Sequence, residues 1–176
     1  MYLKICAKLL LINAKRPLAV AVRRSKTPFY KLPIKNHCVH SHFAVPHECK
    51  SSTYVVNSDK TRSKDFNGGN LYCDQRNLPT VGKWHRFMGA AGNVMPTSCV
   101  PANRCGTHAP GWLQGGHPTE EQGVVTRKVC FHWTNNCCRW NTNIRVRNCG
   151  EFYVYQLPKT PVCSLRYCTE KKGKAL

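Results

Sequence analysis

Acidic residues are scarce in this chain. Eight Asp and Glu stand against 27 Lys and Arg, for a net charge of +19 over 176 residues. Long apolar runs are missing as well. The longest are Leu9–Ile12 and Leu18–Val22, far short of the roughly 18–20 residues that span a bilayer, so no transmembrane helix is expected. There is no Cys-x-x-Cys pair; beyond the adjacent Cys137-Cys138, the closest spacings are Cys163 to Cys168 and Cys99 to Cys105. That argues against a zinc ribbon and against a dithiol redox centre. Gly-x-Ser-x-Gly, His-Glu-x-x-His and a phosphate loop are also absent, and the few carboxylates are scattered. Glu120-Glu121 reads as solvated loop charge. No catalytic residues, cofactor or metal site are therefore expected. No Asn-x-Ser/Thr occurs anywhere, which removes the ordinary N-glycan acceptor.

What the chain has in excess is cysteine, 12 residues or about 7%. In an oxidising compartment that density is a disulfide framework. With 41% hydrophobic residues, wholesale disorder is not expected. Charge and cysteine are distributed differently. Residues 1–47 hold nine Lys/Arg and no acid, with Cys6 and Cys38 as their only cysteines. The other ten are Cys49, Cys73, Cys99, Cys105, Cys130, Cys137, Cys138, Cys149, Cys163 and Cys168. Three segments are thus expected: a basic leader or linker without regular fold over 1–47, a cysteine-rich domain over 48–170, and a short basic tail over 171–176. A secretory signal needs an apolar core of about 7–15 residues, and Asn13, Lys15, Arg16 and Pro17 cut the leader into shorter pieces. His37, Cys38, His40, His42, His47 and Cys49 form a ligand-rich stretch. No second cluster completes a finger-like spacing, so an exposed polar linker is the expectation there.

The body reads as short strands between turn residues. Tyr54–Val56, Trp84–Met88, Val124–Trp133, Trp140–Arg147, Phe152–Leu157 and Val162–Tyr167 are apolar, aromatic or alternating. Asn148–Glu151 is a turn, so Trp140–Leu157 predicts a β-hairpin. Thr107–Gly123, with two prolines and four glycines, is expected to be a long loop. No segment of ten or more residues shows clean helical periodicity. The fold class is all-β, a small disulfide-rich domain with long irregular loops.

Adjacent residues on a strand point to opposite faces, so Cys137 and Cys138 are expected to bond two different partners. Arg145 and Arg147 fall on the polar face of the hairpin, with Arg139 near its start. A basic stripe beside aromatics suits a polyanion, but a solvated outer face is the simpler expectation. No spacing matches a specific nucleic-acid motif. Trp84, Trp112 and Tyr155 are candidates for ligand contact, with burial in the core as the commoner fate of such aromatics.

Several stretches carry a family resemblance: Gly82–Gly89 (GKWHRFMG), Met95–Pro101, Arg104–Leu113, Cys130–Trp133, Cys137-Cys-Arg-Trp140, Arg145–Cys149, Phe152–Tyr155 and Cys163–Cys168. Together they resemble the uromodulin-type eight-cysteine extracellular domain over about 120 residues, and residues 1–47 share nothing with it. The resemblance implies a non-catalytic secreted or cell-surface interaction module whose partner is an extracellular protein or glycan. It implies the pairs Cys49–Cys149, Cys73–Cys163, Cys99–Cys137, Cys105–Cys168 and Cys130–Cys138, leaving Cys6 and Cys38 over. Relatives of this type add EGF-like and polymerising modules that this chain lacks. They also offer decoy glycans, for which the chain has no acceptor. The alternative function, resting on charge, is a cationic polyanion-binding or antimicrobial secreted protein.

Overall fold

A computed structural model describes residues 44–69 and 71–173; the leader reading over residues 1–43, including Cys6, Cys38 and the histidines from His37 to His42, lies outside the described residues. Seven strands form one mixed sheet: β1 Tyr54–Asn57, β2 Lys83–Phe87, β3 Ala109–Gln114, β4 Val124–Trp133, β5 Asn136–Asn148, β6 Tyr153–Leu157 and β7 Leu165–Tyr167. Their order across the sheet is β1-β2-β6-β5-β4-β3-β7. The pairs β1/β2 and β3/β7, at the two edges, are parallel and the others antiparallel. Helical structure among the described residues is limited to α1, Asp74–Asn77, and three single 3₁₀ turns. The all-β, disulfide-rich class expected from composition is the observed one.

The centre follows from alternation. On β5, Ile144 and Val146 are buried, while Asn143 before them and Arg145 between them are exposed. Register then puts Val129, Tyr155 and Leu113 on the same inner face. Phe87, Phe131, Leu157, Leu165 and Tyr167 complete this core, and Met95 enters it from the segment between β2 and β3. Tyr155 fixes that segment: its hydroxyl accepts the Met95 N–H at 3.1 Å.

One expectation is overturned. Thr107–Gly123 is not wholly loop, because Ala109–Gln114 is strand β3, buried between β4 and β7. Its Pro110 and Gly111 look like breakers in sequence. In the fold Gly111 sits where a Cβ would come within 2.7 Å of the Phe131 ring, so glycine is what lets that ring lie against the strand. β5 also begins earlier than Trp140, because it turns back from β4 through Thr134 and Asn135, with Trp133 facing Asn136.

Candidate functional site

All ten body cysteines are bonded. The pairs are Cys49–Cys149, Cys73–Cys163, Cys99–Cys137, Cys105–Cys168 and Cys130–Cys138. Between the pairs Phe131/Trp140 and Trp133/Asn136, β4 places one residue and β5 places three, Cys137, Cys138 and Arg139. The double cysteine therefore occupies a β-bulge, which re-aims side chains locally. From it Cys138 reaches the neighbouring strand at Cys130, while Cys137 ties in the segment before β3 through Cys99. Trp112 supports the bulge by donating its Nε1–H to the Cys137 carbonyl at 2.8 Å.

His132 stands beside the Cys99–Cys137 bond, and the three residues approach one another closely enough for a metal. Both sulfurs are spent in the disulfide, so no thiolate ligand is present. The imidazole is engaged instead by the carbonyls of Val100 at 2.8 Å and Thr134 at 2.9 Å. In the His37–Cys49 stretch, His47 and Cys49 lie in the described 3₁₀ turn, and Cys49 is bonded to Cys149.

At the β7 edge, two buried arginines hold the chain together. Arg62 makes a bidentate pair with Asp74, at 2.8 and 2.7 Å, and donates to the Tyr167 carbonyl at 3.0 Å. Asp74, fully buried, also accepts the Tyr167 N–H at 3.0 Å. One carboxylate and one guanidinium thus satisfy both backbone groups of an edge-strand residue. Arg166 reaches Asp59, the Thr61 hydroxyl at 2.8 Å and the Cys105 carbonyl at 3.1 Å, and its guanidinium lies 4.2 Å from the Tyr72 ring centre. Reading the sequence by charge missed both anchors, since a lone Arg or Asp in a loop reads as solvated. The only signal was Leu165-Arg-Tyr-Cys168, whose four residues are all buried.

Two histidines are largely withdrawn from water, His85 buried and His117 half-buried. His85, on the core face of β2 and 7% exposed, has no hydrogen-bond partner on either ring nitrogen among the described residues. Burial, with the charges of Arg62 and Lys83 outweighing the opposite pull of Asp74, pushes it down to about 4. His117 faces the Tyr155 hydroxyl at 2.8 Å through Nε2 and packs on Tyr153. Burial, reinforced by Lys172 and Arg127, pushes it down to about 4 as well. Both lie below the unfolded value of 6.5. The unfolded chain therefore binds more protons between pH 6.5 and 4, and stability falls as pH drops through that window. By pH 5 the loss is about 2 kcal/mol for each histidine. Urea unfolding midpoints should fall from pH 7 to pH 5, and His85→Gln/His117→Gln should flatten most of that slope; a wild-type midpoint constant over this range would refute the assignment.

Of the candidate aromatics, Tyr155 is fully buried and Trp84 is 9% exposed, while Trp112 is half-buried and occupied by the bulge. None is a free contact residue. Arg145 is exposed on the second face of the sheet, its guanidinium 5.8 Å from the Trp84 ring centre. Arg147 meets Glu48 at 3.9 Å. A shallow groove of about 310 Å³ runs beside Arg145, bordered by Val81, Thr126, Asn143, Gln156 and Pro158.

The family of uromodulin-like eight-cysteine domains matches residues 85–169. Eight of the ten body cysteines fall in that span. The chain carries a uromodulin-like domain. The pancreatic secretory granule membrane major glycoprotein GP2 of Canis lupus familiaris is 47% identical over 118 residues, covering 66% of this chain and 22% of that protein. Uromodulin of Rattus norvegicus is 42% identical over 120 residues, 68% of this chain and 18% of its own length. GP2 of Mus musculus is 42% identical over 122 residues, with 66% and 22% covered. The chain thus spans about a fifth of the length of these relatives. Cys49 and Cys73 precede the matched span and bond into it at Cys149 and Cys163. Five disulfides belong to an oxidising compartment, and the GP2 relatives are named for the secretory granule membrane. Among the described residues no helix is long and apolar enough to cross a membrane.

Proposed function

We propose that this chain works as a non-catalytic extracellular interaction module, binding a protein or glycan through exposed sheet and loop surface. The observation that carries this reading is the use to which reactive side chains are put. The ten body cysteines are bonded, the buried Arg62–Asp74 pair satisfies backbone groups, and His132 is tied to two carbonyls. The groove beside Arg145 is open to solvent, unlike the enclosed pockets in which small-molecule chemistry is done. The proposed module is residues 48–170, longer than the family match. Its upstream part contributes β1, the Arg62–Asp74 pair and two bonded cysteines, and Thr169 and Glu170 bridge to Ser63 and Val94. The full chain, secreted with its disulfides intact, should bind saturably to at least one member of arrays of glycans and secreted proteins. Turnover of ester, peptide or glycoside substrates by the same material would overturn the reading.

A further inference from the structure

The second face of the central sheet carries a charge pattern that the core does not explain. Strand register places residues on it in two rows. Thr126 of β4, Arg145 of β5, Gln156 of β6, Trp84 of β2 and Tyr54 of β1 are successive neighbours in one row. In the next, Val124 pairs with Arg147 and Arg147 with Val154, while Arg86 pairs with Val56. On the other side of the first row lie Lys128 and Asn143, directly opposite one another. No Asp or Glu occupies any of these positions.

The cations of this face differ in what they already do. Arg86 is stacked on Phe152 at 3.8 Å and bonded to the Tyr54 hydroxyl, and Arg147 has Glu48. Lys128 and Arg145 are exposed, and neither meets a carboxylate among the described residues. Lys128 is diagonal to Arg145 across β4/β5, about 7–8 Å away, and Arg147 is about 7 Å further along β5. The Trp84 ring, its centre 5.8 Å from the Arg145 guanidinium, attracts that cation and favours the rotamer from which it takes a bidentate oxyanion. Around these cations the exposed groups are amides and a hydroxyl: Asn141, Asn143, Gln114 and Thr126, with half-buried Gln156. Such groups both donate to and accept from sugar hydroxyls.

We propose that this face, centred on Lys128, Asn143, Arg145 and Gln156, binds a sulfated glycan chain laid along the groove. The proposal rests on the interaction-module reading and names the ligand class for it. Spaced cations without acids complement a polyanion; amides interleaved with them complement a polyhydroxylated one. The oxidising compartment of a five-disulfide domain is where sulfated polysaccharide, rather than nucleic acid, is met.

The test measures affinity of the full disulfide-bonded chain for heparin, with size-matched duplex DNA alongside, as a function of salt. Lys128→Glu/Arg145→Glu should weaken heparin binding at least tenfold and make its salt dependence shallower. Lys128→Gln/Arg145→Gln, the milder pair should the reversal perturb folding, should weaken it several-fold. Lys128→Arg/Arg145→Lys should restore most of it, and Asn143→Ala/Gln156→Ala should weaken heparin more than DNA. Unchanged heparin affinity in the folded reversal variant would overturn the proposal, placing any binding elsewhere, as on the nine cations of residues 1–47. Absence of heparin binding by the wild type at physiological salt would overturn it too, and so would DNA binding of equal strength and equal sensitivity to all variants. None of these failures touches the module reading, which falls instead to catalytic turnover.

Discussion

Asp74→Ala should destabilise the domain by about 3–5 kcal/mol, the cost of leaving one half of a buried ion pair uncompensated. The carboxylate is fully buried and has three tasks: both guanidinium contacts of Arg62 and the Tyr167 N–H. Removing it strands a charge that water cannot reach and leaves a buried backbone donor unsatisfied. Asp74→Asn keeps the shape and one acceptor, so it should cost less than alanine. Arg62→Met/Asp74→Leu removes both charges, and the pairwise term in the cycle should recover a sizeable part of the loss. Urea unfolding of the oxidised protein measures all of these. A loss below about 1 kcal/mol for Asp74→Ala would mean that the pair behaves as an exposed one.

The second large effect concerns the bond that joins the start of the module to its central hairpin. Cys49→Ser/Cys149→Ser releases a loop whose ends lie 100 residues apart in sequence. The intact Cys73–Cys163 bond shortcuts that loop to roughly 40 residues, giving about 4 kcal/mol by chain entropy. The loss falls unevenly. Cys49 lies near β1, which pairs with β2 alone at the sheet edge, so amides of β1 should lose hydrogen-exchange protection before those of β4 and β5. Equal loss across all seven strands would show that the bond secures the whole sheet rather than its edge.

The strands most readily read from sequence are those whose two faces differ. β5 and much of β4 alternate because one face meets the core and the other meets solvent, whereas β6, with Val154 and Tyr155 both buried, was legible from its aromatic and β-branched residues. β3 escaped because it is buried between neighbours and carries Pro110 and Gly111; its residues answer to the Phe131 ring rather than to strand propensity. The start of β5 escaped because its turn uses Thr134 and Asn135, without the glycine that usually marks a tight hairpin; Thr134 itself takes a positive φ of 53°. Which cysteine meets which is a statement about the spatial neighbours of strands, and spacing in the sequence does not contain it. Family resemblance was the only source for it. That Cys137 and Cys138 should part company was legible from strand geometry, but the device that parts them is a bulge, and bulges leave little trace in composition. The anchors Arg62, Asp74 and Arg166 were invisible for a related reason: their value lies in the backbone groups they satisfy, 105 residues away in the case of Arg62 and Tyr167. Trp84 and Tyr155 read as contact candidates and are packed, whereas Lys128 drew no notice until register placed it diagonal to Arg145.

A five-bond framework, reaching beyond the matched span, holds an open sheet face in place. Peptide mapping of the secreted full-length chain by mass spectrometry without reduction puts this to trial. Cys137 should be found linked to Cys99 and Cys138 to Cys130, with Cys49 and Cys73 linked forward to Cys149 and Cys163. A Cys137–Cys138 bond, or free thiols at Cys49 and Cys73 in folded protein, would contradict it.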